Sequence, residues 1–327
     1  MISVPFSDDT PSCVPAHFGS RRYYAYNDWV RAHFGGRVQK VSLKAGFTCP
    51  NRDGSRARGG CTFCNNRSFT PSYLFKTRDI QQQLELGLEF LKRRYPQTKS
   101  FLAYFQSYSN TYAPLAFLRQ LYEPVLNHPD ISGIVIGTRP DCLPDNVLDY
   151  LGELSKRYTV ELEIGIESCN EAVLLRCNRG HTFAETADAL VRAAQRSLFV
   201  TGHLLLGLPG ETRASALAGA EILAQLPIQS LKFHQLHIVQ DTQLARQWQQ
   251  APDTLELLDV DTYLQWVADI LEVLPEQIII QRLGSDVPED MRIEWTRGER
   301  IEDLPKRLDE VLLRRQSWQG RLYDKIP

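Results

Sequence analysis

No run of apolar residues in this 327-residue chain approaches the roughly 18 that a membrane-spanning helix requires. An excess of one charge is also missing: 37 lysines and arginines face 39 aspartates and glutamates, a net charge of −2. That balance exerts no global pull toward nucleic acid or an anionic membrane. The basic clusters are short (Arg21-Arg22, Lys92-Arg93-Arg94, Arg314-Arg315) and read as solvated faces. An export signal is lacking too, because the first stretch has no charged-then-apolar-then-small order and is interrupted by Pro5, Pro11 and Pro15. Seven cysteines, an odd number, in a chain without that signal predict reduced thiols, with the cytoplasm as the expected compartment. Apolar residues at 43% and charged residues at 23% are ordinary globular usage. The length suits two average domains or one α/β barrel, and either buries a substantial core.

Three cysteines carry most of the chemical signal. Cys61 and Cys64 stand in C-x-x-C spacing, which brings two thiolates to one metal centre from a single tight turn. Cys49 precedes them by eleven intervening residues, in a loop whose Gly54, Gly59 and Gly60 let the backbone fold back. An iron–sulfur cubane normally takes four cysteines, one per iron, so three leave one iron open for chemistry. Structural zinc with a histidine as fourth ligand is the alternative, with His17, His33 and His181 as candidates, although none has finger-like spacing.

Strand and helix patterns alternate along the chain. Strands are expected at Val41–Gly46, Ser100–Gln106, Gly133–Gly137, Thr159–Ile166, Phe199–Leu206 and Ser230–Val239. Helices are expected over Asp79–Tyr95, from Pro114, over Val147–Tyr158, after the capping box Thr182-x-x-Glu185, and from the Gly207–Glu211 turn to about Leu226. Six such repeats predict an α/β fold, a partial (β/α)6 TIM-like barrel with right-handed crossovers. The informative clusters all fall at C-terminal strand ends, where such barrels carry their active residues. They are the cysteine loop, Gln106–Asn110, Thr138–Asp141, Glu167 and Gly207–Glu211. Residues 1–39 are expected to be an N-terminal packing segment that includes Tyr23–Phe34, residues 40–240 the core barrel, and 241–327 an α/β extension covering it. In that extension Asp261 is the expected cap of a helix ended by Pro275. Ile278–Leu283 reads as a strand, and Leu304, Leu308, Val311 and Leu312 mark a last helix.

Several motifs in order resemble the radical S-adenosylmethionine (SAM) superfamily. The cysteine loop, with Phe47-Thr48-Cys49-Pro50-Asn51-Arg52-Asp53-Gly54 and Gly59-Gly60-Cys61-Thr62-Phe63-Cys64, is close to its YhcC-type branch in a widened spacing. Glu163–Ser168, Asn178-Arg179-Gly180-His181-Thr182 and Gly207-Leu208-Pro209-Gly210-Glu211-Thr212 are similar to the elongator catalytic subunit and to oxygen-independent coproporphyrinogen oxidase. The resemblance covers about Lys40 to Val239, and the branch match continues through Arg282-Leu283-x-Ser285-Asp286.

The resemblance implies a [4Fe-4S] cluster held by Cys49, Cys61 and Cys64, whose open iron is chelated by SAM. Reduction then splits SAM to methionine and a 5′-deoxyadenosyl radical that abstracts hydrogen from a substrate. It also implies an external one-electron donor of the flavodoxin or ferredoxin kind. By motif, Glu167 and Arg179 are the candidates for contacting SAM, Gly207 and Glu211 lie in the turn toward its adenine, and Gln106 and Asn110 bound a stretch where relatives carry glycines that meet its amino group. This chain departs from its relatives there, with Gln106-Ser107-Tyr108-Ser109-Asn110, and again at Gly137-Thr138-Arg139-Pro140-Asp141, where the elongator subunit has a glutamate before the Thr-Arg-Pro-Asp. The acetyltransferase activity of the elongator subunit is not expected, because the stretch after the sixth strand is too short for that domain. The substrate is unassigned, with RNA a candidate only by analogy to that subunit.

Plainer readings stand beside these. Glu167 and Arg179 could form an ordinary ion pair at a strand end. His181 could simply belong to its turn. His203 could point into the barrel or into the helix layer. His234 and His237 should fall on opposite faces of a strand and share no metal. Cys169 and Cys177 fit buried inert thiols better than redox partners, and Cys13 and Cys142 carry no functional signal. Arg282 and Asp286 are candidate substrate-facing residues. A non-catalytic iron–sulfur carrier and a zinc-stabilised RNA-binding or adaptor protein are the remaining function classes.

Overall fold

The computed structural model describes residues 14–252, 255–294 and 300–323, so Cys13 lies outside the described residues. The chain opens with α1 (Tyr26–Phe34), β1 (Arg37–Leu43), the single turn α2 (Pro50–Asp53) and α3 (Ile80–Arg94). It continues with β2 (Thr98–Phe105), α4 (Leu115–Leu126), β3 (Ile131–Thr138), α5 (Asp145–Ser155) and β4 (Thr159–Glu167). Next come α6 (Glu171–Arg176), α7 (Phe183–Ala194), β5 (Phe199–Leu206), α8 (Arg213–Leu223) and β6 (Ser230–Gln235). The last third holds β7 (Ile238–Val239), α9 (Gln243–Gln250), α10 (Val260–Val273), β8 (Ile279–Arg282), β9 (Arg292–Glu294) and α11 (Leu304–Arg314).

Seven strands form one parallel sheet in the order β1-β2-β3-β4-β5-β6-β8, a curled half-barrel of the expected class. Parallel neighbours need crossovers, and a helix fills each one from β1 to β6. The alternation in β4 explains its two faces. Val160, Leu162, Ile164 and Ile166 join the main core with Leu148 and Leu151 of α5 and Leu190 and Ala193 of α7. Glu161, Glu163 and Glu167 therefore stand on the opposite, interior side.

Three expectations shift by a physical cause. The sixth strand stops at Gln235, and Ile238–Val239 turns away to pair antiparallel with β9. The cap of α10 is Asp259, whose carboxylate accepts from Thr262 N at 2.7 Å, two residues before the expected Asp261. The strand expected near Ile278–Leu283 joins β6 as the seventh member of the sheet. Between the outer strands, α1 packs on both β1 and β8, and Ile280 N donates to Tyr24 O at 2.8 Å just ahead of α1. Among the described residues no helix is long and apolar enough to cross a membrane.

Candidate cluster and cofactor site

The cysteine loop is a short folded unit. Cys49 caps α2 with Pro50 at the first helical position, and its carbonyl accepts from Arg52 N at 2.8 Å. Gly54 ends the turn at φ 93°. The chain returns through Gly60, whose N–H donates to Asn51 O at 2.8 Å, and Cys64 N donates to Cys61 O at 3.1 Å to close the C-x-x-C turn. Asn178 clamps the loop from β4's side of the barrel, donating to Arg58 O at 3.0 Å and Gly60 O at 2.8 Å.

Donors surround the sulfurs. Arg179 Nη1 lies 3.4 Å from Cys61 Sγ, Asn51 Nδ2 lies 3.5 Å from the same sulfur, and Asn66 Nδ2 lies 3.8 Å from Cys64 Sγ. Such N–H groups stabilise thiolate charge and set the electronics of a cluster, so the donor set fits an iron–sulfur group. Asn51 and Asn178 enter the sequence reading only as members of longer motifs and Asn66 not at all, because a single asparagine carries no spacing signal. All three cysteines open on a cavity of about 290 Å3 at the C-terminal ends of the strands. Among the described residues no three His, Cys, Asp or Glu side chains close on a single ion. The histidines weighed for zinc lie elsewhere: His17 bonds Glu276 O, His33 stacks on Trp29, and neither they nor His181 lines this cavity.

Glu167, Arg179 and Gln106 line the same cavity. The ion-pair reading of the first two is realised, with Arg179 Nη2 3.3 Å from Glu167 Oε1 and also donating to Gly165 O at 2.7 Å. β4 bulges between Gly165 and Glu167, and Glu167 takes φ 68°. A non-glycine residue rarely adopts that backbone, and strain of this kind gathers at functional sites. Gly165 leaves room for the pair: a Cβ there would stand 2.5 Å from Arg179 Nη2 and 2.7 Å from Glu167 Oε1. The Arg179 Nε is buried and has no partner.

Of the other expected residues, Asn110, Gly207 and Glu211 fall outside the lining. Asn110 turns inward and donates to Phe105 O at 3.0 Å and Gly137 O at 2.8 Å, pinning the loop after β2. Glu211 folds over its own turn, accepting from Ser168 Oγ at 2.8 Å and Gly207 N at 3.0 Å. Burial pushes its carboxyl up to about 7 against those hydrogen bonds. Arg139 is clamped by Asp141 at 2.8 and 3.0 Å and donates to Arg179 O at 2.8 Å, so it positions the arginine segment. Burial also raises the thiols of Cys142 and Cys177 to about 12 and that of Cys169 further, as expected for inert cysteines. His181 is buried and uncharged, with burial and Arg179 lowering it to about 2; both its ring nitrogens lack partners.

Beneath the cavity lies a buried charge network. Glu163 accepts from Lys40 at 2.9 Å, from His203 Nε2 at 2.9 Å, from Lys232 and from Tyr104. Glu161 takes Lys40 at 2.8 Å and Thr201 at 2.7 Å, with Gln281 bridging. Burial alone would raise the Glu163 carboxyl, but Lys232, Lys40 and His203 hold it well below its usual range. His203 thus points into the barrel, and its ring lies 5.2 Å from that of His234. Because β6 ends at Gln235, strand alternation does not extend to His237. Both His234 and His237 line the cavity, contrary to the expectation of opposite faces.

Comparison with known proteins agrees with this geometry. The sequence matches the Radical SAM superfamily over residues 51–218 and the Radical_SAM C-terminal domain over residues 228–308. It is 35% identical over 306 residues to the uncharacterized protein YtqA of Bacillus subtilis, covering 94% of each chain. It is 38% identical over 253 residues to the protein YhcC of Escherichia coli, covering 77% of this chain and 80% of that one. Among solved structures, the archaeal Elp3 of Methanocaldococcus infernus superposes with a TM-score of 0.64 at 14% identity, covering 88% of this chain and 67% of that one, a likeness of fold. Members of the superfamily use a [4Fe-4S] cluster and SAM, and the chain belongs to the radical SAM superfamily, in the branch of YhcC and YtqA.

Proposed function

We propose that Cys49, Cys61 and Cys64 each bind one iron of a [4Fe-4S] cluster, that Arg179 and Glu167 hold SAM beside it, and that the enzyme acts on RNA. The observation that carries the first two parts is the opening of three thiols and the Arg179–Glu167 pair on one cavity. When bound, the cluster supplies the electron that splits SAM reductively, and an external flavodoxin- or ferredoxin-like donor in the cytoplasm replenishes it. The chain's own residues bind and orient. The buried guanidinium of Arg179 suits the SAM carboxylate, and the Glu167 carboxylate suits its ammonium or ribose hydroxyls. Gln106, with Tyr108 and Ser109, is the part of its stretch that lines the cavity where the cofactor would sit. Asn110, Gly207 and Glu211 act at one remove, by holding the backbone that shapes the rim. Phe63, Leu205 and Leu236 give the cavity an apolar wall that limits water.

RNA is favoured by analogy with the elongator subunit and by one physical feature. Residues 44–78 hold seven cations (Lys44, Arg52, Arg56, Arg58, Arg67, Lys76, Arg78) against the single carboxylate Asp53, in a chain of net charge −2. Among the described residues the exposed side chains of Arg58, Arg67, Lys76 and Arg78 meet no hydrogen-bond or ion-pair partner, and Phe69 and Phe75 are exposed beside them in sequence. Unpaired cations with exposed aromatic rings suit a polyanion with stacking bases. Titration of the reconstituted protein with bulk tRNA at low salt tests this. Binding that weakens with salt, and weakens further in Arg67→Ala and Arg78→Ala, is the expected result; no binding to the wild type rejects RNA. Iron and sulfide content of anaerobically reconstituted protein tests the cluster, and zinc uptake without iron would overturn it.

A further inference from the structure

Three strands along the sheet from the Arg179–Glu167 pair, the cavity wall carries a cation that meets no counter-charge among the described residues. One rung of the sheet runs through Gly165, His203, Lys232 and Arg282 on β4, β5, β6 and β8. Three inter-strand steps separate the two ends of that rung, about 14 Å measured along the curled sheet. Gly165 holds Arg179 at one end. Arg282 occupies the other, lining the cavity, and among the described residues it meets no hydrogen-bond or ion-pair partner.

The neighbouring charges are accounted for. Lys232 and Tyr104 are bound to Glu163 within the network below. Asp286 lines the same wall, but its Oδ1 is directed at Arg292, 3.8 Å away. His234 also lines the cavity, with a buried Nε2 that has no partner, and burial together with His203 and Arg282 keeps its ring neutral. A guanidinium presents a planar fork of donors that matches a carboxylate or phosphate, and a neutral imidazole beside it can donate to the same group. Arg179 is already engaged by Glu167 and Gly165 O at its end of the rung, whereas Arg282 at the other end is available for a different ligand.

We propose that Arg282, with His234, is the oxyanion subsite of the substrate, which therefore brings a carboxylate or a phosphate into the barrel beside SAM. This rests on the cavity being the SAM-cleaving site. The test uses reconstituted protein with SAM present, and equilibrium dialysis of radiolabelled inorganic phosphate and of malonate, in wild type, Arg282→Met and Arg282→Lys. The expected result is saturable binding to wild type, at least tenfold weaker in Arg282→Met and partly restored in Arg282→Lys, with SAM affinity unchanged. The better of the two probes identifies the oxyanion. Equal binding to wild type and Arg282→Met, or no binding to either, overturns the proposal. So does a matching loss of SAM affinity, which would give Arg282 to the cofactor. Failure of the underlying reading is distinguishable, because wild type would then release no 5′-deoxyadenosine.

Discussion

On the cysteine side of the cavity, thiols and donors come from two short stretches, 49–66 and 178–179. On the opposite side, Lys40, Tyr104, Glu161, Glu163, Thr201, His203, Lys232 and Gln281 come from six strands to make one buried network. The first wall is local, half-exposed and organised by turns. The second is non-local, largely buried and organised by charge. A local wall can lose one group and keep its fold, whereas a buried network that loses its central carboxylate leaves several charges uncompensated.

Substitutions should separate the two walls. The largest expected effect is on the local side: Cys61→Ala should lose the cluster, read as iron and sulfide per chain and as loss of visible absorption, with little change in the folded core. A cysteine variant that kept a full cluster would break the assignment. Next is Glu163→Leu, which strands Lys232, leaves Lys40 with Glu161 alone and should destabilise the fold by about 3–5 kcal/mol in denaturant unfolding. A cost under about 1 kcal/mol would mean the network contributes little to holding the barrel together.

Much of the first wall was legible in sequence because its chemistry is written in spacing. The C-x-x-C turn, the glycines around it and the Thr182–Glu185 capping box each announce a local geometry, and α7 begins where that box places it. The inward face of β4 was legible as alternation, but its partners were not, since period two says which face a residue takes and nothing of what stands across the barrel. For the same reason β8 could be read as a strand without its place beside β6 being evident. The position of Asn110 after β2 suggested a cofactor contact, yet a short amide next to two free carbonyls satisfies the backbone first.

Smaller effects sharpen the contrast. Glu167→Gln should leave stability within about 1 kcal/mol and weaken SAM binding about tenfold, since a charge-assisted contact is worth roughly 1.5 kcal/mol. Unchanged SAM affinity by calorimetry would reduce the Arg179–Glu167 pair to an ordinary strand-end ion pair. Glu211 gives the pH test. Its folded carboxyl is raised to about 7 from an ordinary 4.5, so the native state holds the proton more tightly than the unfolded chain. The stability it contributes is present below pH 4.5 and is lost as pH rises through 7, on the order of 3 kcal/mol in all. Glu211→Gln should flatten the decline of melting temperature between pH 5 and 8, and an identical decline in the variant would place the titration elsewhere.

The most direct measurement is the anaerobic reaction of the reconstituted protein with SAM and dithionite, with detection of 5′-deoxyadenosine. The account predicts product from wild type and none above background when Cys49, Cys61 or Cys64 is alanine. Product that persists in any of the three variants, or wild type that carries a full cluster and binds SAM without cleaving it, would contradict it.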